Sequence, residues 1–283
     1  MSDIHALAYR VTGPAAPTDD PRRFWHLTLT LARMDWKVRF FGSALGYVWS
    51  LLRPLLLFGI LYFVFSEVVG AGDGIEHYPI VLLSGMMLYF FYAEVTGAAA
   101  TSLVDRESLV RKVGFPRMVV PLAVAVVGTF NLLLNLVVLA IFLALNGVAA
   151  RWSWLLVPIP IVLVGVLATG TGLLLAALYV RFRDIKPIWD VFLQALFYAT
   201  PILYPVTLVQ EKSERLAHLM MASPLASLIQ ATRHLLLGED TPSAASAIGG
   251  TVWLLIPAAI LVIVTVLGFV VFERTAPHAA EEL

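Results

Sequence analysis

The chain has 283 residues, 60% of them hydrophobic and 13% charged, with no cysteine and a formal net charge of zero; its mean hydropathy is +0.87. Soluble domains run near 45–50% apolar and about a quarter charged, so this composition excludes a water-soluble fold and calls for lipid. The balanced charge gives no ground for a nucleic-acid partner. The missing cysteines exclude disulfides, thiolate metal sites and cysteine nucleophiles.

Read in chain order, a polar lead (residues 1–20) precedes one integral-membrane domain (residues 21–283). Phe24, Leu27, Leu31, Met34, Val38 and Phe41 recur every three or four residues while His26, Arg33 and Lys37 gather on another face, which predicts an amphipathic helix. Asp20 suits its N-cap and Pro21 its first position. Trp25 and Trp36 suit the headgroup layer, so this helix is expected to lie along the interface.

A hydrocarbon core about 30 Å thick requires roughly 20 apolar residues as helix. Six stretches meet that rule: 45–68, 78–100, 119–146, 152–180, 185–204 and 251–272. The first starts only after about forty mixed residues, so no cleavable secretory signal is expected. With the N-terminus inside, Arg151, Lys212, Arg215 and Arg233 fall outside and Arg53 falls within a span, while every other lysine and arginine lies on the cytoplasmic side. That asymmetry fits the positive-inside rule and places both termini in the cytoplasm. No internal repeat is visible.

Two segments are neither spans nor plain connectors. Residues 102–117, SLVDRESLVRKVGFPR, predict a short charged helix ending at Gly114–Pro116; composition fits both a solvated connector and a docking helix for a cytoplasmic partner. Residues 214–221 and 225–237 are apolar-periodic but too short to cross, so they are expected to lie in or re-enter the outer interface.

Arg53, Glu94 and Asp190 are the costly residues within spans, since a charge at mid-bilayer is penalised by about 2.5–3.5 kcal/mol on the mildest scale. All three fall within the inner third of the membrane, so Arg53 is expected either to pair with one of the acids or to meet an anionic substrate group. Phe58, Tyr62 and Phe65 form one aromatic stripe, and Tyr89 with Tyr92 another. Such stripes serve lipid contact and helix packing, or the passage of sugar rings. Asn131 and Asn135 suit interhelical hydrogen bonds, while Ala93-Gly97-Thr101 and Ala168-Gly172-Ala176 read as small-residue ridges for close packing. The chain has no Gly-x-x-x-x-Gly-Lys-Ser/Thr phosphate loop and no His-Glu-x-x-His motif, so active transport would draw on a gradient or on another subunit.

Arg183-Asp184-Ile185, Pro187 and the following DVFLQALFYATPILYPV resemble a signature of type-2 ABC exporter permeases, closest to the polysaccharide exporters of O-antigen, teichoic acid, capsule and galactan. FFGSALGYVWSLLRPLL, SLVRKVGFPRMVVPL and SPLASLIQATRHLLLG agree in the same order, and the likeness runs from Phe24 to Phe272. One departure is Ser223, where the pattern has asparagine.

The resemblance implies an all-α membrane permease of six spans with an interface helix, a cytoplasmic coupling helix and external gate helices over Thr207–Gly238. It implies a homodimer in a bacterial inner membrane, served by two copies of an ABC ATPase that carries the ATP and magnesium, with no cofactor on this chain and no enzymatic step in it. It places Asp105, Arg106, Glu107, Arg111 and Lys112 at the ATPase. Phe58, Tyr62, Phe65, Tyr89, Tyr92 and Tyr198 would line a conduit for a lipid-linked glycan. Its lipid diphosphate end would arrive near Arg22, Arg23, Arg33 and Lys37. Export of a small drug or lipid, a gradient-driven carrier and a membrane transferase are the alternatives.

Overall fold

The computed structural model describes residues 20–40, 48–70, 72, 75, 77–111 and 115–276. Among them there is no strand. The helices are α1 (Pro21–Phe40), α2 (Val48–Phe63), α3 (Tyr78–Asp105), α4 (Glu107–Val110), α5 (Val119–Leu145), α6 (Pro158–Arg181), α7 (Ile185–Ala199), α8 (Val206–Lys212), α9 (Glu214–Met221), α10 (Pro224–Leu237), α11 (Ala244–Ala247) and α12 (Leu255–Thr275). Asp20 caps α1, its Oδ1 accepting from the backbone N–H of Arg22 at 2.9 Å and of Arg23 at 3.4 Å. Phe24, Thr28 and Ala32 form the buried face of α1, and Ala32 packs with Ala123 and Val127 of α5. Phe41, the start of the first expected span, Lys112 and Gly114 lie outside the described residues.

Five stretches among the described residues are long and apolar enough to cross a bilayer: Leu51–Val68, Tyr78–Asp105, Val119–Leu145, Trp152–Arg181 and Thr251–Thr275. The molecule is thus a multi-pass, all-α membrane protein. The remaining expected span, 185–204, is realised as the 15-residue α7. It extends about 22 Å at 1.5 Å per residue, short of the core thickness, because the helix stops before Pro201, which lacks the N–H a continuing helix needs.

The core lies along α3, nearly all of whose first four turns are buried between α5 and α6. Two close approaches set this packing. A Cβ at Gly172 of α6 would stand 2.8 Å from the Ala99 Cβ of α3, and one at Gly268 of α12 would strike the Gly170 carbonyl of α6. In α2, by contrast, Phe58 is the one buried side chain among the described residues. At the far end, α8 to α11 fold back over the bundle, and α10 ends at Gly238, whose φ of 72° favours glycine.

Candidate functional site

A cleft of 680 Å³ opens between the end of α1 and helices α2, α3 and α5. Its walls are apolar, from Trp49, Leu57, Met87, Phe90 and Leu132, and its polar groups are Arg39, Arg53, Glu94, Asn131 and Asn135. Glu94 lies eleven residues before Asp105 on α3, about 16 Å along the helix. A carboxylate held in an apolar wall requires donors, and the fold supplies two. Arg39 Nη1 pairs with Glu94 Oε1, and Asn131 Nδ2 donates to the same oxygen at 2.8 Å. Asn131 Oδ1 in turn accepts from Trp36 Nε1 at 3.1 Å, so α1 reaches α3 directly and also through α5.

Arg53 is exposed into this cleft and has no hydrogen bond or ion pair among the described residues. Asn135 donates to the Asn131 carbonyl at 2.9 Å, but its buried Oδ1 has no partner among them. With two guanidiniums and one carboxylate, the lining carries a net charge of +1.

The expected pairing of Arg53 is corrected here. Glu94 pairs with Arg39 because α1 ends beside α3. Asp190 pairs with Lys186 one turn earlier on α7, at 2.5 Å, which is a local contact needing no interhelical partner. Sequence reasoning missed Arg39 because it sits at the end of the interfacial helix, outside every span. Arg22, Arg23, Arg33 and Lys37 stay on the exposed side of α1 and do not line the cleft.

The polar residues after α3 form a second cluster. Arg106 pairs with Asp35 of α1, Thr101 Oγ1 donates to Asp105 Oδ2 at 2.7 Å, and Glu107 pairs with Arg111 at 2.8 Å. The Arg106–Asp35 pair joins α1 to the α3–α4 junction at one end of the bundle.

The aromatic residues divide by environment. Phe58 stacks on Tyr62 at 5.9 Å, and Tyr62 on Tyr78 at 6.2 Å; Phe65 is half-buried in the π-helical turn Val64–Val68 that prolongs α2. Tyr89 and Tyr92 are buried, donating to the Leu193 carbonyl and to Thr171 Oγ1 (3.4 Å) respectively. Their rings pack α3 against α7 and α6. Tyr198 is 66% exposed.

Arg233 of α10 is a residue the sequence reading left among the external charges. It is wholly buried, and its guanidinium donates to the carbonyls of Val81 (2.9 Å), Pro201 (2.6 Å) and Ile202 (3.0 Å). Burial pulls its pKa down to about 9. The available signal was the Pro201–Pro205 break, since a helix ending there frees carbonyls that need donors.

Residues 26–237 match the family described as ABC-2 type transporter. The chain is 29% identical over 219 residues to the O-antigen export system permease protein RfbA of Myxococcus xanthus, covering 77% of this chain and 83% of that protein. It is 30% identical over 213 residues to an O-antigen export system permease protein RfbA of Klebsiella pneumoniae, covering 75% and 80% respectively.

Proposed function

The chain belongs to the ABC-2 type transporter family, and from that premise we propose that it is the membrane permease of an ATP-driven exporter for a lipid-linked polysaccharide of O-antigen type. The observation that carries this reading is the matched family together with relatives named as O-antigen export permeases over most of their length. A permease moves its cargo without forming or breaking bonds in it, so this chain is a transport subunit.

In this reading ATP is hydrolysed by a separate subunit, present in two copies, with magnesium bound there. The exposed side of α1 and the neighbouring α4 form the docking face, with Asp105, Arg106, Glu107 and Arg111 at the contact. The concentration of Lys and Arg on that end supports a cytoplasmic location for it and for both termini in a bacterial inner membrane. A second copy of the chain completes the pathway, and the apolar faces of α2 and α7, including Leu56, Ile60, Val191 and Tyr198, are exposed in the single chain. A conduit between copies would draw on Tyr198, Tyr62 and Phe65, which are not fully buried by their own chain. Phe58, Tyr89 and Tyr92 would serve it from behind as packing.

The test is affinity purification of the tagged chain from its native membranes, with surface glycan measured in cells lacking it. The expected result is a near-equimolar ATPase in the eluate and loss of surface glycan on deletion. A stable complex without any ATPase, in cells whose glycan is unchanged by deletion, overturns the reading.

A further inference from the structure

The cleft holds more positive charge than its own carboxylate balances. Arg39 is occupied by Glu94, and Arg53, which lines the same cleft, has no partner among the described residues. If Glu94 leaves Arg39, two guanidiniums face the cavity, a pattern that matches a phosphate group because each presents several N–H donors in a fixed plane. The apolar walls at Trp49, Leu57, Met87, Phe90 and Leu132 suit a hydrocarbon attached to that phosphate. The volume of 680 Å³ lies within the usual range for ligand pockets, about 300–1,000 Å³.

We propose that Glu94 is a built-in competitor at a phosphate site: the phosphate-bearing head of the lipid carrier takes Arg39 from Glu94 and is clamped between Arg39 and Arg53. This rests on the export reading above and adds a regulatory step to it. On displacement Glu94 keeps the hydrogen bond from Asn131 Nδ2, so its charge is not left bare. The end of α1 then loses its Arg39–Glu94 tie to α3 while retaining the Trp36–Asn131 bond to α5 and the Asp35–Arg106 pair to the α3–α4 junction. Loading the cleft thereby frees the Arg39 end of the docking helix alone, which gives the ATPase face a signal that the site is filled.

The experiment measures equilibrium binding of radiolabelled farnesyl diphosphate to the full chain in phosphatidylcholine nanodiscs. Arg39→Gln and Arg53→Gln are each expected to weaken binding about tenfold, the scale of one lost charge-assisted hydrogen bond. Glu94→Gln is expected to tighten it several-fold, and that gain should vanish in the Arg39→Gln background. Should Glu94→Gln fail to fold, Glu94→Asp, one methylene short of Arg39, replaces it with the same sign expected. Unchanged or weaker binding in the Glu94 variant overturns the proposal, since a purely structural Glu94 would give that result. Competition by inorganic pyrophosphate, but not by an equal amount of phosphatidylglycerol, supports recognition of the carrier head; equal displacement by phosphatidylglycerol assigns the cleft to bulk anionic lipid and overturns it. Glycan export scored for the same variants separates the two levels. Wild-type export with no Glu94 effect on binding sinks this inference alone, whereas a surface glycan that never depends on the chain sinks the reading beneath it.

Discussion

Asp35 on α1 is paired with Arg106 at the junction of α3 and α4, and both side chains are about three-quarters shielded from solvent. The bond ties the interfacial helix to the start of the short helix after α3. Asp35→Ala or Arg106→Ala is expected to destabilise this contact by about 1–3 kcal/mol and to lower ATP-dependent export more than it lowers the amount of folded protein. The reversed pair, Asp35→Arg with Arg106→Asp, should recover export, as measured by surface glycan in a complemented deletion strain.

Arg233→Met leaves the carbonyls of Val81, Pro201 and Ile202 without their donor. Leaving buried carbonyls unsatisfied is expected to lower stability by about 1–3 kcal/mol for each one that finds no other donor, seen as a reduced Tm in detergent. Arg233→Lys keeps the charge but not the planar fork that reaches three oxygens, so it should fall between Met and wild type. A Met variant as stable as wild type would remove the structural role assigned to Arg233.

Two glycines that look alike in sequence should respond oppositely. Gly172→Ala drives a methyl into Ala99 across the α3–α6 contact and is expected to destabilise by about 1–3 kcal/mol. Gly97 has nothing within 4 Å of a Cβ placed on it, so Gly97→Ala should stabilise α3 by about 0.5–1 kcal/mol. Thermal unfolding of both variants, prepared alike, makes the comparison.

Asp190 shares its ion pair with Lys186 on the same helix, and its side chain is about half exposed. Asp190→Asn is therefore expected to change stability by no more than about 0.5 kcal/mol. A large loss in the same unfolding assay would show that Asp190 has an interhelical partner after all.

The spans were legible because hydropathy needs only a count of apolar residues, and α1 because its period of three to four is carried by six residues in register. The length of α7 was not, since a run of apolar residues continues through Thr200–Tyr204 although the helix stops at Ala199. Hydropathy does not register the missing N–H of Pro201. In the cleft, Arg53, Glu94 and Asn131 stood out as polar residues in apolar surroundings, and depth arithmetic put the two charges near one level. The partner of Glu94 was hidden, because Arg39 reaches it from a helix on a different axis and no spacing rule links positions so far apart. The ridge at Ala93-Gly97-Thr101 likewise met the small-residue pattern, yet the structure places Gly97 in open space; a pattern says that a close approach is permitted, not that a neighbour is there.

Phe58 bears on the order in which the chain is built. It is the single buried ring of α2 among the described residues, and it rests edge-on against Phe142, at 5.4 Å, near the end of α5. A ribosome adding about 5–20 residues per second therefore releases α2 into the bilayer several seconds before the α5 part of its docking surface exists. During that interval α2 has lipid and the Tyr62–Tyr78 contact with α3 but no partner for Phe58 on α5. Chains truncated before Phe142 should leave position 58 open to lipid cross-linking, and chains extended past Gly147 should protect that position.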